Sequence, residues 1–133
     1  MSQGAELRGR SHQFAIRIVR LYQALPKTGE GRTLGLQLLR SGTSVAANYR
    51  AACRARTRAE FVSKLGIVQE EADETVFWLD LLVDTGIVRR TRLEPLRKEA
   101  NELLAIFTAS RRTAESARSA FGVRHSALQQ EKS

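Results

Sequence analysis

Arg50, Arg54, Arg56 and Arg58 stand close together in a chain of 133 residues. Guanidinium groups present fixed forks of N–H donors that match phosphate oxygens two at a time, so such a cluster is a candidate nucleic-acid-binding patch. Binding of that kind weakens steeply with salt, because neutralised phosphates release condensed counterions. The same cations could instead form a solvated basic end, or pair with Glu70, Glu71, Asp73 and Glu74 of a neighbouring subunit. Tyr49, beside Arg50, could stack on a base, although its position close to an apolar stripe favours the core or an interface. A second polar set, Gln37, Arg40, Ser44 and Asn48, recurs at i, i+3, i+7 and i+11 and makes one line along a helix otherwise rich in small residues. Hydrogen bonding across a subunit interface is the favoured use of that line, ahead of ligand contact.

Enzymatic chemistry finds no complete set. The run Glu70-Glu71-Ala72-Asp73-Glu74 places carboxylates on one helix face. Di-iron bundles, however, need Glu-x-x-His pairs, and the only histidines are His12 and His125. A solvated or salt-bridged face explains the run. Cys53 is the one cysteine, with no histidine near it in sequence, and is expected as a small buried thiol. The glycines form no phosphate-loop or dinucleotide fingerprint. Trp78, among Val76, Phe77 and Leu79, suits a core or an interface better than a cofactor pocket. The expectation is therefore a protein that is not an enzyme and holds no metal or cofactor.

The elements that carry these residues are helical. Phe14, Ile18, Leu21 and Leu25 form one helix face, stopped by Pro26, which pushes the preceding residue out of helical geometry. Ser11 is a candidate N-cap, with an earlier start open. The second helix is expected over about residues 30–54, with Leu34, Leu38, Ser41, Val45, Asn48 or Tyr49, and Ala52 following the period. Gly35 and Gly42 there each cost about 1 kcal/mol relative to alanine, which points to close packing against a neighbour. Thr57-Arg58-Ala59-Glu60 is a capping-box pattern, followed by Phe61, Leu65, Val68, Ala72, Val76, Leu79 and Val83, with Gly86 as the left-handed terminator. Phe77, Trp78 and Leu81 fall off that stripe, so the third helix has a second apolar face and self-association is expected. A further box, Thr91-Arg92-Leu93-Glu94, opens the fourth helix, but Pro95 conflicts with that register and moves the expected start a few residues on. Leu96, Ala100, Leu103 and Phe107 complete it to about Arg112. The fold expected is all-α, an antiparallel up-down-up-down four-helix bundle over residues 1–112. A basic Ser/Ala/Gln-rich C-terminal tail, frayed or disordered, is expected over 113–133.

Composition and charge set the remaining bounds. Two prolines favour long helices, and the single cysteine excludes an internal disulfide framework. No apolar run approaches the roughly 20 residues of a membrane span, and the N-terminus carries no secretory pattern, so a cytoplasmic protein is expected. The net charge of +8 is unevenly spread. Residues 26–57 hold six basic and one acidic side chains, whereas residues 58–88 hold two basic and seven acidic.

With the helices placed, Leu25-Pro26-Lys27, Gln37-Leu38-Leu39-Arg40-Ser41, Ser44-Val45-Ala46-Ala47-Asn48 and Glu60-Phe61 resemble, in order and spacing, the family of small bundles related to the 23S rRNA intervening-sequence protein. The likeness spans roughly residues 14–112. After Asn48 many members continue with an Ala-Glu-Gly-like stretch, where this chain has Tyr49-Arg50-Ala51-Ala52-Cys53-Arg54-Ala55-Arg56. The resemblance implies a homopentamer. It is also similar to the accessory proteins of diversity-generating retroelements, which implies association with a reverse transcriptase and nucleic acid. The expected function is an oligomeric, non-enzymatic bundle offering a basic surface to RNA or another nucleic acid. The alternative is a purely structural self-assembly or protein-interaction module.

Overall fold

A computed structural model describes the backbone of residues 2–132 and the side chains of residues 2–117. Four helices follow one another, α1 (Gln3–Ala24), α2 (Gly29–Cys53), α3 (Arg58–Asp84) and α4 (Arg90–Lys132), with no strand among the described residues. The first begins earlier than Ser11. Its N-cap is Ser2, whose hydroxyl accepts from the Ala5 N–H at 3.1 Å. Ser11 is buried in mid-helix, where its hydroxyl donates to the Arg8 carbonyl at 3.1 Å. Leu25 ends α1 in an extended conformation (φ −69°, ψ 150°), as the proline that follows demands. Thr28 then caps α2 by accepting from the Gly31 N–H at 3.1 Å.

The third helix starts and stops where the residue types dictate. Thr57 accepts from the Glu60 N–H at 3.0 Å, and the Glu60 carboxylate accepts from the Arg56 N–H at 3.2 Å. That return bond lies one residue upstream of the standard box. Gly86 takes a φ of 76°, the left-handed geometry that terminates α3 without a Cβ penalty.

The fourth helix departs from expectation at its start. It starts at Arg90, ahead of the proline, and the Arg89 carbonyl accepts from Leu93 at 3.4 Å. The Thr91–Glu94 pair supplies no cap. Pro95 lies inside the helix and forfeits one intrahelical bond, while the buried side chains of Leu93 and Leu96 on either side hold that turn against the core. The bundle also reaches beyond residue 112, since Ala114 is buried. The segment expected as a tail continues the α4 backbone to Lys132; the side chains of 118–133 lie outside the described residues.

The core is built from the faces that the periodicity indicates. Phe14, Ile18 and Leu21 of α1, Leu38, Val45 and Tyr49 of α2, Leu65, Val68, Ala72 and Leu79 of α3, and Leu96, Ala100, Leu103 and Phe107 of α4 form one buried cluster. On α3 the buried line runs through Thr75 and Leu82, so Phe61, Val76 and Val83 sit at its margin, half-buried. Truncating any one of the fully buried leucines should cost about 2–5 kcal/mol. α1 packs mainly on α2, α2 on α3 and α3 on α4. The α1–α2 approach is close because Gly42 has no side chain: a Cβ there would stand 2.8 Å from the Ile18 methyl and methylene carbons. Across α2 and α3 the buried hydroxyls of Ser41 and Thr75 hydrogen-bond at 3.0 Å.

Candidate functional site

The turn joining α2 to α3 brings the cations together. Arg50 lies in the last turn of α2, Arg54 caps it, Arg56 sits in the connection and Arg58 opens α3. All four are exposed. Two neighbouring grooves share Ala47, Arg50 and Arg54. The first runs between α1 and α2, floored by Ala5, Gly9 and Ala46 and rimmed by Arg8 and His12. The second turns the corner onto α3, where Arg56 and Lys64 join. Arg8 also borders a third groove together with Arg58. Among the described residues no carboxylate comes within ion-pair distance of Arg8, Arg50, Arg54, Arg56, Arg58 or Lys64. The one acidic side chain lining these two grooves is Glu60, whose carboxylate is engaged with the Arg56 N–H.

Arg8, His12 and Lys64 were not part of the arginine cluster as it stands in sequence. Their signal is topological: a helix pair with a short connection returns the start of α1 to the end of α2, and Lys64 lies about 1.7 turns into α3 from Arg58. A second, sparser group of cations, Arg17, Arg20 and Arg92, lines a groove between α1 and α4.

The polar line on α2 resolves into internal contacts. The Arg40 guanidinium donates to Glu71 at 3.2 Å and to Glu74, so it joins α2 to α3. These bonds hold the Arg40 pKa above its ordinary value, and the Arg40 bond, with the Trp78 indole N–H second, holds the Glu74 carboxyl below its own. The Asn48 side-chain amide donates to the Ser44 hydroxyl at 2.7 Å and to the Ser44 carbonyl at 2.9 Å. Gln37 is exposed. Part of the acidic run is thereby occupied within the chain, leaving Glu70 and Asp73 exposed.

Tyr49 is a core residue, 4 % exposed, with its ring 5.2 Å from that of Phe107. Burial, with Cys53 as neighbour, raises its hydroxyl pKa. Cys53 itself is half-buried rather than enclosed, because it faces the α1–α2 groove. No group of three or more His, Cys, Asp or Glu side chains suited to a metal ion occurs among the described residues. On the flank of α3, Phe77 is 54 % exposed and meets Trp78 edge-on at 4.9 Å, and Leu36 of α2 is also 54 % exposed. No helix among the described residues is long and apolar enough to cross a membrane.

Fold and site together define a small four-helix protein with a cationic end. The chain belongs to the 23S rRNA-intervening sequence protein family, whose model matches residues 5–109. Among solved structures it is similar to a protein of unknown function from the S23 ribosomal protein family of Bacteroides thetaiotaomicron. The two share 35 % sequence identity and superpose with a TM-score of 0.78, over 84 % of this chain and 99 % of the other. No curated protein matches the chain.

Proposed function

We propose that this is a non-enzymatic cytoplasmic protein, an antiparallel up-down-up-down bundle whose α2–α3 end binds the phosphates of a nucleic acid, RNA first among them. The observation that carries the reading is the convergence of Arg8, Arg50, Arg54, Arg56, Arg58 and Lys64 on connected grooves with no acidic partner. Uncompensated like charges repel, so their concentration at one end favours an anionic ligand that relieves the repulsion. The bundle direction is supported by cross-helix contacts: Arg40 reaches Glu71 and Glu74, Arg97 reaches Asp80, and Arg10 reaches Glu99. The family's name connects it with rRNA sequences, and RNA is the natural first ligand to test.

Replacing Arg50, Arg54 and Arg56 with Glu should abolish salt-sensitive binding to mixed RNA, measured by fluorescence anisotropy. The control is the same reversal at Arg17, Arg20 and Arg92. Equal loss from the control would move the site to the α1–α4 groove, and absence of binding by the unaltered protein would overturn the reading.

Self-association is a second reading, favoured by the exposed Leu36, Ile67 and Phe77. Exposed large apolar side chains become an interaction face where a partner covers them. We infer an oligomer, with five copies as the number implied by the family likeness. An analytical ultracentrifuge should show an assembly at micromolar protein, reduced to monomer by Leu36→Glu with Phe77→Glu. A monomer before substitution would sink this reading, and an assembly that comes apart in high salt would assign the contact to charge instead.

A further inference from the structure

Most of the cations of this protein stand apart from its large stacking rings; the third groove alone joins Arg8 and Arg58 with Tyr49 and Phe61. Among the described residues, no Phe, Tyr or Trp ring lines the α1–α2 groove or the groove that continues it around the α2–α3 turn, and the imidazole of His12 at the rim is their one aromatic ring. Tyr49, the nearest candidate in sequence, is buried against Phe107. Phe61 packs at the margin of the core and borders only the third groove, with Arg58. The exposed ring of Phe77 stands about 28 Å along α3 from Arg58, at 1.5 Å per residue. Proteins that hold single strands without sequence preference combine a basic groove with rings on which successive bases stack, each worth about 1–3 kcal/mol. In these two grooves His12 stands alone, so successive bases have no run of rings to rest on.

Two further properties favour a paired strand. Arg50 lies in the last turn of α2, Arg54 caps that helix with its N–H bonded to the Ala51 and Ala52 carbonyls, and Arg8 belongs to the helix packed beside it, so their Cα positions are set by rigid elements. A duplex presents its phosphates at set positions and pays little ordering entropy on docking to such a platform, whereas a flexible single strand must be immobilised. A duplex also carries one charge per roughly 1.7 Å of axis, twice the density of one strand. Resting on the nucleic-acid reading above, we propose that the arginine end takes the phosphate backbone of a double-stranded nucleic acid, reading charge and shape and leaving the bases unread.

The test uses the full chain and labelled 20-base-pair duplexes of RNA and of DNA, each alongside its separated strands, at about 100 mM salt. A duplex should bind at least tenfold more tightly than either of its strands, and permuting the base sequence should change its affinity less than about twofold. Comparing the two duplexes assigns the backbone, RNA or DNA. Single substitutions Arg50→Ala and Arg54→Ala, checked for folding by circular dichroism, should each reduce the salt slope by about 0.9. Single strands binding as well as duplexes would overturn the inference while leaving the nucleic-acid reading standing. A strong dependence on base sequence would do the same. Failure of every probe to bind would overturn both.

Discussion

On the seams between helices, Arg10, Arg40 and Arg97 each face carboxylates, whereas at the α2–α3 end Arg50, Arg54 and Arg56 face none. Arg10 is the clearest seam residue. Its Nε and Nη2 donate to the two Glu99 oxygens at 2.9 and 2.6 Å, and Nη2 also reaches Glu102 at 2.6 Å. Arg97 meets Asp80 at 2.6 Å and Glu94 at 3.3 Å. One residue type thus has two settings, decided by where the acids stand: α3 and α4 supply acids along their flanks, while the one acid at the turn, Glu60, accepts from the Arg56 backbone N–H and from no arginine side chain. The excess positive charge of the chain is for this reason local, and what it could bind is decided by location more than by total.

Salt should separate the two populations most sharply. With four to six phosphate contacts at the arginine end, raising salt from about 50 to 200 mM should weaken nucleic-acid binding by roughly two to three orders of magnitude. The thermal midpoint should barely move, because the seam pairs are short-range and screened much less where partly buried. Parallel titrations and melting curves check this, and a midpoint that falls together with affinity would erase the distinction. Next in size, Arg10→Ala should cost about 1–2 kcal/mol in a urea titration, since it breaks a bidentate pair to a mostly buried Glu99, and should leave affinity unchanged.

Arg40→Ala should cost less, under about 1 kcal/mol, because its side chain is half exposed. It carries a pH signature as well. The Glu74 pKa is depressed below its usual 4.5 in the folded protein. The stabilisation is therefore present above about pH 4.5 and is lost as pH falls through the lower folded value. The variant should show a flatter acid limb of stability than the unaltered protein. Smallest of all, Arg50→Ala and Arg54→Ala should shift stability by no more than about 0.5 kcal/mol in either direction. A larger loss would mean that these side chains have structural partners after all.

The local signals in this sequence read well and the non-local ones poorly. Thr57, Glu60 and Gly86 act through residues within four positions of themselves, and the structure uses them at the ends of α3. Pro95 misleads because its local cost is offset by burial of Leu93 and Leu96, which no cap pattern reports. Ser11 misleads for the opposite reason: a capping residue type sits in mid-helix, where its hydroxyl turns back on the helix. The four arginines at the α2–α3 turn were legible as a run, but Arg8 enters their groove from a helix more than forty residues away. The line from Gln37 to Asn48 is visible as periodicity, yet the partners that occupy Arg40 belong to α3 and could not be read from α2 alone.

The hydroxyl pair of Ser41 and Thr75 has a mechanical meaning beyond its bond. Apolar helix faces slide easily past one another, because one leucine replaces another at small cost. A slip of α2 along α3 by one turn, about 5.4 Å, would break the bond between them, at about 0.5–1.5 kcal/mol, and leave each hydroxyl with its own helix carbonyl, Leu38 or Glu71, alone. The pair therefore works as a locating pin between two long rods, acting with the Arg40 bonds to Glu71 and Glu74 toward one longitudinal setting. Arg54 and Lys64 lie on opposite rods, so their relative height, and the shape of the charged edge between them, is indexed by two small oxygen atoms in the middle of the bundle.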